Sequence, residues 1–236
     1  MSFLSIFEKK KTLTYKFTLF MKMQPRKYSH IIWDWNGTLL NDAWLCVEVM
    51  NRMLSDHGLS PLSLQKYRTI FDFPVKDYYN KLGFDFNVEP FEAIGMEFMM
   101  MYNLRQNECS LYSEVPEILE TLKKKGYRQY ILSAREENEL KSETDKLGVG
   151  KYFDRITGLN DHFAHGKSDI GRTLLKALNI PVERIIFIGD TNHDAEVSAE
   201  LGIDCILIPN GHHSEERILG CGLPVAYSLN ELLEYL

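Results

Sequence analysis

Strand-like apolar runs alternate with amphipathic helical stretches along most of this chain, and three of the runs end on a polar group. His30-Ile31-Ile32-Trp33 gives way to Asp34, Tyr127 to Leu132 stops at Ser133-Ala134, and Arg184 to Ile188 stops at Gly189-Asp190. Helical patterns occupy Val115 to Lys125, Glu136 to Lys146, Ser168 to Leu178 and the stretch from Asp194 to Gly202. Short strands are expected at Phe153 to Thr157 and Asp204 to Ile208. This order predicts an α/β fold, a doubly wound parallel sheet with a Rossmann-like core. Right-handed crossovers then bring Asp34, Ser133 and Asp190 to the carboxyl ends of the strands, where open α/β sheets bind ligands.

The residues at these strand ends suit an anion and a hard cation. Gly37 permits a tight turn that aims amide N–H groups at an anion, and Thr38 adds a hydroxyl donor. A strand-ending Asp can equally close an Asx-turn, so Asp34 takes its chemical meaning from residues far downstream. Asp190 and Asp194 stand four apart at a strand-to-helix junction and repel each other unless a cation lies near; Asp194 could also cap the helix it opens. Carboxylate and carbonyl oxygens suit Mg²⁺, which takes one or two carboxylates together with substrate phosphate. The Ser133 hydroxyl and the Ala134 amide are placed to grip a phosphoryl oxygen. Lys167 opens a helix, against the helix dipole, which points to an anion nearby.

Between the first strand and residue 108 the pattern is almost wholly helical. Asp42 starts a helix with Ala43, Val47, Met50 and Leu54 on one face, ended by Gly58. Pro61-Leu62-Ser63, Pro74 and Glu89-Pro90 each lead a further helix, and the Phe98 to Tyr102 cluster reads as the core of this unit.

Taken together, Asp34-x-Asn36-x-Thr38, Ser133, Lys167 and Gly189-Asp190-x-x-x-Asp194 resemble, in order and spacing, the four motifs of the haloacid-dehalogenase-like hydrolases, specifically the phosphoglycolate-phosphatase-like branch. The resemblance covers about residues 28–236. It implies a core of residues 28–41 and 108–236, an inserted all-helical cap over residues 42–107, and a Mg²⁺-dependent phosphatase acting on a small phosphorylated metabolite. It further implies that Asp34 attacks phosphorus, that Asp34, Asp190, Asp194 and the Asn36 carbonyl form the metal site, and that Gly37, Thr38, Ser133, Ala134 and Lys167 hold the phosphate. The family's second acid is Asn36 here, which can neither protonate a leaving group nor deprotonate water. General acid–base assistance is worth roughly 10²–10⁴-fold, so Asn36→Asp alone is expected to raise alkyl-phosphate turnover. The alternatives are a phosphonatase-like carbon–phosphorus hydrolase, with Lys66, Lys76 or Lys81 of the cap forming a Schiff base, and a weakened protein that binds a phosphate ligand without turnover.

The net charge of −6 argues against nucleic acid as a main partner, and no apolar stretch is long enough for a membrane span. Cys46, Cys109, Cys205 and Cys221 lack paired or zinc-type spacing, which fits free thiols and a cytoplasmic setting for a monomer or homodimer. The first thirty residues hold seven Lys or Arg against one Glu; residues 1–27 read as a basic extension before the fold. His212 and His213 read as solvated or as substrate contacts, His193 as a phosphate contact and proton donor in reserve or as a surface residue at a helix start, and Arg135 as either a substrate-anion contact or a surface charge. Trp33 and Trp35 are expected on opposite faces of the first strand.

Overall fold

The computed structural model describes residues 27–159 and 166–236; the expected basic extension lies outside them but for Lys27. Five parallel strands form the central sheet: β1 (His30–Trp33), β4 (Arg128–Glu136), β5 (Arg155–Leu159), β6 (Ile185–Gly189) and β7 (Asp204–Leu207), in the order β5-β4-β1-β6-β7. From β1 the chain builds outward through β4 to β5, then crosses back and builds β6 and β7 on the other side. β1 is therefore the point at which the winding reverses, and the crevice above it is where this topology binds ligands.

Both faces of the sheet are covered. Ile31 and Trp33 of β1 enter one apolar cluster, with α5 (Val115–Lys124) and Leu140 of α6 (Glu137–Lys146). Ile32 enters the other, with Leu174 of α7 (Lys167–Leu178) and Val197 and Leu201 of α8 (Asn192–Leu201). The near-continuous apolar character of β1 and β6 follows from burial on both sides. Trp35 packs in the same cluster as Trp33, not opposite it, because residues two apart on an extended chain share a face. Their indole N–H groups donate to Gln129 (3.1 Å) and Glu143 (2.7 Å).

A two-stranded antiparallel pair, β2 (Leu40–Asn41) with β3 (Ser110–Leu111), brings together the two ends of the helical insertion. Between them run α1 (Ala43–Asp56), α2 (Leu64–Ile70), α3 (Val75–Leu82) and α4 (Phe91–Arg105). Ser63 caps α2 by accepting from the Lys66 amide, and left-handed Gly83 ends α3. Two short helices, α9 (Glu215–Gly220) and α10 (Leu232–Tyr235), close the chain. No helix among the described residues is long and apolar enough to cross a membrane.

Two strands differ from the sequence expectation. β4 runs on through Ser133 to Glu136, with a register break after Leu132, so Ser133 sits inside an irregular strand end instead of beyond it. β5 starts two residues later than its hydrophobicity suggests, after the short turn at Gly150–Tyr152.

Candidate active site at the carboxyl ends of the strands

The ends of β1 and β6 meet, while Ser133 at the end of β4 makes its side-chain contact with the Arg135 amide. Asp34 leaves β1 with its amide donating to the Ile188 carbonyl of β6 (2.8 Å), which fixes it beside Gly189-Asp190. The carboxylates of Asp34, Asp190 and Asp194 lie within 4.8 Å of one another, and all three residues are buried. Lys167, buried at the first turn of α7, bridges two of them, contacting Asp34 Oδ1 and lying 2.6 Å from Asp194 Oδ1. It is the one buried lysine among the described residues. The anion that a lysine against the helix dipole called for is thus this carboxylate group.

Asp194 caps the helix it opens and holds Lys167. Thr191 and Asp194 form a reciprocal capping box, so α8 begins two residues earlier than its apolar pattern. Asp194 Oδ2 accepts from the amides of Asp190 (3.1 Å) and Thr191 (2.9 Å) and from the Thr191 hydroxyl (2.7 Å), while Oδ1 holds Lys167. Thr38 donates to Asp190 Oδ1 (2.9 Å) and lies 3.4 Å from Asp34 Oδ2. Ser133 is buried and accepts from the Arg135 amide (3.2 Å), and Ala134 is exposed.

The loop geometry is set by close approach. Gly37 has φ +77°, and a Cβ there would lie 2.3 Å from Asp190 Oδ2 and 2.5 Å from the His212 ring; one on Gly211 would lie 1.9 Å from Asp190 Oδ2. Only glycine lets both loops close on this carboxylate. Oxygen-only donors clustered this tightly fit Mg²⁺ in charge and hardness.

Sequence reasoning missed two residues of the site. Asp42, the N-cap of α1, makes no capping hydrogen bond. Its buried carboxylate instead turns back to the loop after Asp34 and accepts from Asn36 Nδ2 (2.8 Å), the Gly37 amide (3.0 Å) and the Tyr102 hydroxyl of α4 (2.9 Å). An acid at a helix start ordinarily reads as a cap, so nothing local marked it. His212 is the other. It is buried: its amide donates to Asp190 Oδ2 (2.6 Å), Nε2 lies 3.3 Å from Asp42 Oδ1, and Nδ1 pairs with the Tyr67 hydroxyl of α2 (2.8 Å). His213 is buried too, accepting from the Asn192 amide (3.0 Å). The two rings do point to different partners, but neither is solvated, because the loop after β7 folds under α2.

His193 is partly exposed, lies tilted against Phe73 with ring centres 4.6 Å apart, and is 3.4 Å from Glu196. Arg135 is buried between Gln106, Glu143 and Glu139 and lies over the Tyr102 ring. It ties α4 to α6 and is not a surface charge.

These contacts set the protonation balance. Burial pushes Asp34 up; Lys167 opposes this, and Asp194 and Asp190 reinforce it. Burial also raises Asp190. Asp194 would rise by burial as well, yet Lys167 and Thr191 bring it below the usual range. Burial alone would lower His212, but Asp42, then Asp190 and Asp34, hold it up at about 9. A carboxyl protonated in the folded chain and ionised in the unfolded one costs stability as pH rises above about 4, the unfolded carboxylate range. A divalent cation that displaces the proton returns that stability. Thermal unfolding between about pH 5 and about pH 8 is therefore expected to show Mg²⁺ raising Tm more at the higher pH; a Mg²⁺ effect independent of pH would contradict this charge balance.

Known proteins resemble this chain in sequence and fold. The family model for haloacid dehalogenase-like hydrolases matches residues 31–208. The chain is 29% identical over 182 residues to a phosphoglycolate phosphatase of Aquifex aeolicus, covering 73% of this chain and 80% of the relative. It is 24% identical over 203 residues to the N-acetylmuramic acid 6-phosphate phosphatase of Pseudomonas aeruginosa, covering 83% and 88%. Among solved structures, a haloacid dehalogenase-like family hydrolase from Streptococcus pneumoniae superposes with a TM-score of 0.77 at 22% identity, covering 89% of this chain and 98% of that one. With the matched region running from β1 through β7, the chain belongs to the haloacid dehalogenase-like hydrolase family, in its phosphoglycolate-phosphatase-like branch.

Proposed function

We propose that this enzyme is a Mg²⁺-dependent phosphatase that hydrolyses a small phosphate monoester through an aspartyl-phosphate on Asp34. The observation that carries this is the buried Asp34–Lys167–Asp194 chain with Asp190 beside it, at the sheet's reversal point. Asp34 attacks phosphorus in line and breaks the ester P–O bond, the alkoxide leaving to take its proton from water, and a second water then hydrolyses the aspartyl-phosphate to phosphate and free Asp34. Mg²⁺ held by Asp34, Asp190 and the Asn36 carbonyl, with Asp194 behind them, would supply the charge that neutralises phosphoryl oxygens. Lys167, Thr38, Ser133 and the amides of Gly37 and Ala134 hold the charge that develops on the phosphoryl group, in a site whose donors are preorganised.

The substrate class follows from chemistry shared by the two relatives, whose names both describe a phosphate ester of a carboxylic acid. Such esters are the first to screen. The helical insertion of residues 42–107 acts as the cap that selects among them, and the four free cysteines suit a cytoplasmic setting. Lys66, Lys76 and Lys81 are all exposed, so the phosphonatase-like alternative finds no buried lysine in the insertion. A screen of phosphate esters, acyl phosphates and phosphonates is expected to show Mg²⁺-dependent release of phosphate from esters, lost with chelator. Tight binding of a phosphate analogue with no turnover across the panel would instead favour the ligand-binding alternative.

A further inference from the structure

Asn36 departs from the family's motif, and its surroundings say why an amide stands there. The Asp42 carboxylate can only accept hydrogen bonds, and donors surround both of its oxygens. Oδ2 takes Asn36 Nδ2 (2.8 Å) and the Tyr102 hydroxyl (2.9 Å); Oδ1 takes the Gly37 amide (3.0 Å) and faces His212 Nε2 (3.3 Å). Tyr102 spends its proton on Asp42, so its oxygen is free to accept from Asn36 (3.2 Å). Both contacts of the Asn36 side chain use its NH₂, which turns the amide nitrogen toward Asp42. Asp42 is 1% exposed. A carboxylate at residue 36, which is part-buried, would face the buried Asp42 carboxylate with like charge where a 2.8 Å hydrogen bond now stands, with no proton between them.

We propose that Asn36 and Asp42 are a matched pair: the second carboxylate of this catalytic loop sits at residue 42, and residue 36 must be its donor. Asp42 is then a positioning residue. It fixes the Asn36 side chain and the Gly37 amide in the loop that follows Asp34, and ties that loop to α4 through Tyr102 and to the β7 loop through His212. The sequence expectation for Asn36→Asp reverses: the single substitution harms the enzyme, and the acid becomes useful at 36 only when Asp42 is made the amide. The kinetic part rests on the phosphatase reading above; the pairing itself does not.

The test is an exchange cycle of Asn36→Asp, Asp42→Asn and the double variant, read by Tm without substrate and by kcat and KM on an aryl and an alkyl phosphate. Each single change is expected to lower Tm, and to lower kcat by about tenfold or more with little change in KM. The double variant is expected to recover Tm to near wild type and to regain at least tenfold in kcat over Asn36→Asp, with alkyl esters gaining more than aryl ones. If Asn36→Asp does not fold, folding of the double variant is itself the recovery. The proposal is overturned if Asn36→Asp alone matches wild type in Tm and kcat, or if the double variant is no better than the singles. Should wild type turn over no phosphate, the phosphatase reading fails, and the Tm cycle still decides the pairing.

Discussion

Asp34→Asn is expected to abolish turnover, lowering kcat on the order of 10⁴-fold or more, because it removes the nucleophile itself. The same substitution should leave Tm unchanged or raise it when no metal is present. Asp34 stands in a buried group of three carboxylates with a single lysine among them, and burial already pushes it toward the protonated form. An isosteric neutral amide relieves that crowding, while Lys167 keeps its 2.6 Å contact with Asp194. Loss of activity with stability intact separates a chemical role from a structural one. Steady-state kinetics and thermal unfolding on one preparation make the check; mass spectrometry must show that the Asn has not deamidated. Activity near wild type would remove Asp34 from the chemistry.

Lys167→Met should move stability the opposite way. The lysine is 5% exposed and carries the positive charge that holds Asp34 and Asp194 together. Removing one partner of a buried ion pair leaves an uncompensated charge, at a cost of about 3–5 kcal/mol. Urea unfolding near neutral pH is expected to show a loss of that size, partly recovered in the Asp34→Asn/Lys167→Met double variant because one of the two stranded carboxylates is then gone. Turnover should fall about 10²–10³-fold through loss of a preorganised charge at the phosphoryl group. A Lys167→Met protein as stable as wild type would mean that the bridge between α7 and the strand ends does not exist.

The strands and the residues at their ends were legible in the sequence because each was marked twice. Asp34, Ser133 and Asp190 end apolar runs buried on both faces, and the helix patterns between those runs leave few ways to connect them. Lys167 was legible from its conflict with a helix dipole. Asp42 was not, since the signature of an N-cap says nothing about which way the carboxylate turns; only the fold brings α4 and the β7 loop within reach. The burial of His212 and His213 is invisible in sequence for the same reason, since it depends on α2, more than 140 positions earlier in the chain. For Trp33 and Trp35, the two-residue period of a strand already places the pair on one face.

The covalent intermediate can be sought directly. With Asn36 unable to activate water as a base, hydrolysis of the aspartyl-phosphate should be the slower half of the reaction, so the intermediate should build up during turnover of an aryl phosphate. Quenching in acid early in the Mg²⁺-supported reaction, reducing with borohydride and sequencing the peptides by mass spectrometry is predicted to show residue 34 converted to homoserine. The Asp34→Asn protein should show no such conversion. Full turnover with residue 34 never modified under these conditions, or with the label on another residue, would contradict the account.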